Sequence, residues 1–218
     1  MNDAFKECKS LTEIKLPKSL SNLDDDDAFN RCSMSRRVDL ANTTLNAIED
    51  YTFYKCRSLE DVRLPVTVKK IGSQAFQDCT SLSTIVLHEG VKTIDAWAFS
   101  GCENLSFDKL PSTVETIAAG AFSECNLRHF TSPLHCRGIK LSALQCCRKL
   151  KSIQIVGDDT MLVNDFNNGD EVEIPSLLRM NVPRSYHDDD YDGMFRQGRF
   201  LSNLSIAPNS SIREWAYE

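Results

Sequence analysis

No segment of this 218-residue chain approaches the ~18 consecutive apolar residues of a membrane-spanning helix, and the first thirty residues lack the apolar core of a secretory leader. A basic excess is missing as well: 25 Lys and Arg stand against 31 Asp and Glu, for a net charge of -6. With no basic stripe and no aromatics interleaved among its Lys and Arg clusters, the chain is a poor match for nucleic acid. The four histidines, His88, His129, His135 and His187, are scattered, and no nucleophile elbow, phosphate loop, His-Glu metal helix or dinucleotide fingerprint occurs. These absences argue against an enzyme and imply no cofactor.

Cysteine, in contrast, is plentiful, and its placement is periodic. Phe5, Phe29, Phe53, Phe76, Phe99 and Phe122 stand at steps of 24, 24, 23, 23 and 23 residues, each followed three residues later by Cys8, Cys32, Cys56, Cys79, Cys102 and Cys125. Leu144 and Cys147 continue the series. Self-similarity at a fixed period of roughly 20–50 residues is the signature of a stacked-coil solenoid.

One unit shows how such a coil is built. From Ala75 the apolar positions run Phe76, Cys79, Leu82, Ile85, Leu87, Val91 and Ile94. Between Leu82 and Leu87 they alternate with the two-residue period of a strand, so Ile85 and Leu87 point one way and Thr84 and Val86 the other. Strands that recur once per coil must lie parallel. Val91 and Ile94 form a second short apolar segment, and Ala98-Phe99 with Cys102 predicts a tight helical turn that returns the chain to the next strand. Pro17, Pro65 and Pro111 end strands by withholding a backbone donor. A single coil cannot close a core: its inward side chains contribute about 1.5–3 kcal/mol each only when a neighbouring coil covers them.

The phrase Leu64-Pro65, Val68, Ile71-Gly72, Ala75-Phe76, Cys79, Leu82, Ile85 resembles the repeat unit of the BspA-type leucine-rich repeat family over residues 1–155. The resemblance implies an α/β-type leucine-rich repeat solenoid of stacked 22–24-residue coils, with a parallel β-sheet, second short strands and short helical turns. It also implies a surface protein that binds other macromolecules, adhesive in some members.

Residues 1–155 read as seven regular coils, and 156–218 as degenerate eighth and ninth coils. Phe166, Gly169, Val172 and Ile174 supply the eighth; Phe195, Gly198, Leu201, Leu204 and Ile206 supply the ninth. Between them lies an acidic insertion at 185–193. Both ends lack a polar capping coil, which predicts neighbouring repeats in a longer chain. Inward reduced thiols and the missing leader point to the cytoplasm for the chain as given; a leader lost with the N-terminal side would place it at the cell surface, as the resemblance implies.

Seven cysteines share one inward register, where a small apolar side chain fits the stack, and the odd total speaks against a regular disulfide set. Cys136 and Cys146 fall outside that ladder. With His129 and His135 they are too irregularly spaced for a structural zinc site. Asp188, Asp190 and Asp192, followed by Gly193, reproduce the first half of a calcium loop, but Arg199 stands where the bidentate Glu belongs. The four-residue run Asp24 to Asp27 reads as a solvated loop.

Outward strand positions lie five and seven residues after each Cys. In register they give the rows Glu13, Arg37, Asp61 and Lys15, Asp39, Arg63, whose signs alternate both along and across the strands. The next units change character: Thr84 and Val86, then Phe107 and Lys109. This less charged surface beside Asp61 and Arg63 predicts a binding face for another protein or a glycan, with Phe107 either an exposed anchor or an inward substitute for the missing Ile at 108. The expected function is a non-catalytic binding module, with a calcium-dependent adhesin or sensor as the alternative.

Overall fold

The structure is a computed structural model and describes residues 14–23, 28–32, 36–107, 109–157, 160–163, 165, 179–181 and 205–206. Backbone pairing follows the sequence period. A front ladder of parallel strands is built from Ile14–Lys15, Arg37–Asp39, Asp61–Arg63 and Thr84–Ile85. A side ladder of six parallel strands comprises Ala47–Ile48, Lys70–Ile71, Thr93–Ile94, Thr116–Ile117, Gly138–Lys140 and Met161–Val163. These are the second short strands expected near Val91 and Ile94. After an interruption in the fifth coil, a further parallel sheet forms from His129–Thr131, Ser152–Gln154, Arg179–Asn181 and Ser205–Ile206. The expected eighth-coil residues Phe166, Gly169, Val172 and Ile174 lie outside the described residues; the strand that pairs next in the ladder is Arg179–Asn181.

The solenoid is confirmed, but the helical turns are not. Among the described residues the single helix is the 3-10 turn Leu141–Leu144, so the α/β description is corrected to a parallel β-solenoid. The reason lies in the backbone of the Phe-to-Cys segment. Gln74 and Asp78, two residues either side of Phe76, both adopt left-handed φ values, +54° and +59°. Left-handed residues four apart cannot belong to one right-handed helix. The N–H groups of Gln74, Phe76 and Asp78 instead donate to Ala96, Ala98 and Ser100 of the next coil, at 2.9, 2.8 and 2.8 Å. Those of Ala75, Gln77 and Cys79 close local turns onto Gly72, Gln74 and Phe76. The segment is thus a third inter-coil ladder, satisfied half locally and half between coils.

Inside, equivalent side chains form columns. The rings of Phe29, Phe53, Phe76, Phe99 and Phe122 stack at centroid spacings of 5.3, 5.2, 5.3 and 5.7 Å, with interplanar angles between 2° and 13°. Cys32, Cys56, Cys79, Cys102, Cys125 and Cys147 form a second buried column and make no disulfide. Each inter-coil aromatic pair contributes about 0.5–1.5 kcal/mol beyond area burial. The repeat prolines begin turns: the carbonyls of Pro17, Pro65 and Pro111 accept from Leu20, Val68 and Val114.

The sixth coil departs from the sequence reading in two places. Cys136, placed outside the Cys ladder, belongs to the buried column Val68, Val91, Val114, because Cys136-x-x-Ile139 repeats the spacing of Val114-x-x-Ile117. The sixth coil keeps its front strand although its Leu-x-x-Ile phrase is missing. Leu127 follows Cys125 by two residues instead of three, and Phe130 fills the inward place of the Ile.

Candidate functional site

The strands Arg37–Asp39, Asp61–Arg63 and Thr84–Ile85 carry inward Val38, Val62 and Ile85, so their alternate residues must face water. The register places Arg37 opposite Asp61 and Asp39 opposite Arg63, as the alternating rows predicted. Arg63 lies 3.8 Å from Asp39, and beside the strands Arg36 lies 3.4 Å from Glu60. Exposed pairs of this kind contribute about 0–1 kcal/mol each and mainly cancel local charge.

Above these strands runs an open groove of about 540 Å³, lined by residues including Arg37, Asp61, Arg63, Thr84, Val86 and His88. Four of the six residues expected at the binding face, Asp61, Arg63, Thr84 and Val86, therefore share one depression. Val86 is its apolar floor mark, 57% exposed. His88 was not expected in the site; it stands at the strand-ending proline position, and its Nε2 lies 3.1 Å from the Leu64 carbonyl oxygen. Lys109 lies across the ladder's interruption, in a small hollow with Phe107, His129 and Thr131.

Polar side chains tie the coils together at the flanks. Lys70 bridges Asp50 at 3.8 Å and Asp95 at 3.1 Å, one carboxylate on each neighbouring coil. Partial burial pushes the Lys70 ammonium down, but the Asp95 hydrogen bond and the two carboxylate charges outweigh it and leave its pKa raised. Glu89 accepts from the Ser112 backbone N–H and hydroxyl, which holds its carboxyl below the usual range.

A family model described as BspA-type leucine-rich repeat region matches in 6 copies, over residues 1–106 and 69–171. The chain belongs to this family. No curated protein matches the sequence. Among solved structures, the chain is similar to a leucine-rich repeat protein from Bacteroides ovatus, at 23% identity and a TM-score of 0.55, covering 79% of this chain and 40% of that one. It is also similar to the T. pallidum leucine-rich repeat protein, at 27% identity and a TM-score of 0.54, covering 60% of this chain and 64% of that one. The pneumococcal vaccine antigen PcpA matches at 19% identity and a TM-score of 0.56, covering 94% of this chain and 56% of that one. The chain therefore spans between 40% and 64% of the length of these solved proteins.

In this BspA-type solenoid Phe107 is not displayed as an anchor. In the repeat register of the sequence Asp108 falls where other units carry Ile, and the ring of Phe107 turns in against the core. It is half-buried and meets Phe99 and Phe122 edge-on, at 5.7 and 5.6 Å. The histidines and cysteines of the sixth coil are held apart by separate partners. His129 bonds Ser152 and His135 bonds the Ser112 carbonyl, while the Cys125 and Cys136 thiols donate to the carbonyls of Phe99 and Gly138. Among the described residues no group of three or more potential metal ligands occurs. The calcium candidates Asp188, Asp190 and Asp192 lie outside the described residues.

Proposed function

We propose that the protein is a non-catalytic binding module whose front groove receives an extended segment of a partner protein. The observation that carries this reading is the convergence of Asp61, Arg63, Thr84, Val86 and His88 on one groove. Val86 offers an apolar contact, the paired charges around it offer register without strong net attraction, and the exposed faces of solenoids provide extended contact surfaces. Membership of a leucine-rich repeat family supports the same role.

The test is capture on a panel of immobilised proteins and glycans by surface plasmon resonance, comparing the full chain with Arg63→Ala/Thr84→Ala/Val86→Ala. All three side chains are exposed, so each substitution should change thermal stability by no more than about 0.5 kcal/mol. Protein capture should weaken at least about tenfold, which corresponds to about 1.4 kcal/mol. Protein capture that survives the triple substitution removes the groove as the binding site, and glycan capture that is lost in the triple variant, with no protein captured, replaces the protein partner with a carbohydrate.

A further inference from the structure

We propose that the turn edge carrying Tyr51 and Trp97 is a stacking platform for a neutral, extended polysaccharide. This edge belongs to the Phe-to-Cys ladder, not to the front groove, so the inference stands apart from the reading above.

Tyr51, Gln74, Trp97 and Gly120 hold the same place in successive coils, each two residues before a core Phe. All four are left-handed, with φ of +56°, +54°, +53° and +63°. The N–H groups of Tyr51, Gln74 and Trp97 each donate to the next coil, at 2.9, 2.9 and 2.8 Å. The backbone there is dictated by the solenoid, and it favours glycine, which stands at position 120. A bulky aromatic with positive φ is an outlier that costs stability. Two such residues in one row are the kind of local strain that concentrates at ligand-contacting sites.

Both rings are displayed and both are held. Tyr51 is 36% and Trp97 47% exposed. A Cβ built on Gly120 would fall 2.2 Å from Cδ1 and 2.3 Å from Nε1 of Trp97, so the indole rests directly against the Gly120 backbone while much of it meets water. Tyr51 is braced edge-on by Tyr54 at 5.8 Å, and the Lys55 ammonium sits 4.8 Å from the Tyr54 ring centre. Rings fixed in this way lose little conformational entropy on binding.

The spacing selects the ligand. Over the same two coils the core rings advance 5.2 and 5.3 Å, which puts Tyr51 and Trp97 about 10 Å apart along the solenoid axis. In an extended β-1,4-linked glycan, alternate sugars present the same face, and the disaccharide repeat is comparable to this separation. Two aromatic platforms two coils apart therefore meet like faces of alternate sugars. The intervening coil carries groups suited to hydroxyls: the Gln74 and Gln77 amides, bonded to each other, and the Lys70 ammonium, which pairs with Asp50 and Asp95 on the coils of Tyr51 and Trp97. One ammonium shared by two carboxylates disfavours an anionic chain.

The experiment is isothermal titration of the full chain with cellohexaose, hexa-N-acetylchitohexaose, a hexagalacturonate and a decaproline peptide. Saturable binding of at least one of the two neutral hexasaccharides is expected, weaker for the matching disaccharide, which cannot span both rings. Trp97→Gly should lower that affinity at least about tenfold and Tyr51→Gly several-fold. Both glycine variants exchange left-handed strain for lost ring packing, so affinities are compared at a temperature where each variant is fully folded; Trp97→Phe should retain part of the binding. The proposal is overturned if neither neutral hexasaccharide binds, if binding is unchanged in both glycine variants, or if only the hexagalacturonate or the decaproline peptide binds.

Discussion

The thiol of Cys102 donates to the carbonyl oxygen of Phe76, one coil back, across 3.1 Å. The same bond links Cys56 to Phe29, Cys79 to Phe53, Cys125 to Phe99 and Cys147 to Phe122, at 3.0 to 3.2 Å. In the middle coils that carbonyl already accepts a local N–H, as Phe76 does from Cys79, so the thiol occupies its second lone pair. Cysteine is thus both a small apolar filler and a weak inter-coil donor, a pairing that Ala or Val cannot reproduce. Cys102→Ala should cost about 1–2 kcal/mol, from a small cavity and a lost bond, read as a lower urea midpoint.

Burial also sets a pH dependence. It pushes Cys56 and Cys147 up to about 12 and Cys136 up to about 11, and raises Cys79, Cys102 and Cys125 well above the ordinary thiol value. Unfolded thiols ionise from about pH 8.5, so above that pH the folded state holds more protons than the unfolded state. The stability contributed by the neutral thiols is complete below pH 8.5 and falls as pH rises, by about 1.4 kcal/mol per pH unit for each thiol ionised only when unfolded. Urea midpoints measured under reducing conditions should drop steeply between pH 8.5 and 10, and Cys56→Ala should flatten the slope. A flat profile in the parent would contradict the buried thiol column.

The columns were legible because the period is written in side chains that only a stack can bury. Phe at every coil and Cys three residues later leave few alternatives once burial is required. The turn geometry was not legible: Gln74, Asp78, Lys55 and Glu124 carry no glycine signature, yet each is left-handed within a ladder whose N–H groups alternate between the next coil and local turns. Tertiary hydrogen bonding overrides local propensity there, which is why Ala98-Phe99 read as helical. Within the candidate site, Asp61, Arg63, Thr84 and Val86 followed from simple alternation. His88 did not, because its place in the groove depends on the chain's path after the strand.

The same geometry gives opposite outcomes at two turn positions. Glu124 is exposed with φ +61°, in the place that holds Gly101 one coil earlier. Glu124→Gly should stabilise by roughly 0.5–1 kcal/mol, relief of left-handed strain exceeding the added unfolded-state entropy. Glu124→Val should destabilise, since a β-branched residue tolerates positive φ least. Thermal melting of the pair checks both signs; a destabilising glycine would mean that Glu124 contributes more by contact than it costs in strain.

Gly72 is required for a different reason, close approach. A Cβ there would lie 2.5 Å from Asp50 Oδ1 and 2.7 Å from both the Asp50 nitrogen and the Glu49 carbonyl carbon. Two of those atoms are backbone and cannot swing aside, so the inter-coil step itself must open. Gly72→Ala should cost about 2 kcal/mol or more, the range of overpacking a well-packed contact. Gly138, which like Gly72 lies outside the left-handed region but whose Cβ would meet nothing within 4 Å, is the control for adding a methyl group alone. Equal losses at the two sites would show that the contact with Asp50 relaxes freely.

Phe107 separates packing from recognition. Its ring is wedged edge-on against Phe99 and Phe122 beside the gap in the front ladder, and Lys109 rises from the same hollow. Phe107→Ala removes two aromatic contacts from a half-buried site, so the loss should reach about 2–3 kcal/mol, at or below the lower end for a fully buried Phe. Lys109→Ala removes an exposed side chain and should stay within about 0.5 kcal/mol. Because the groove residues Arg63, Thr84 and Val86 lie in coils before the gap, Phe107→Ala should lower the melting temperature while leaving partner capture unchanged below it. Capture lost by Phe107→Ala in the fully folded protein would extend the binding surface across the gap and return Phe107 to the role of an anchor.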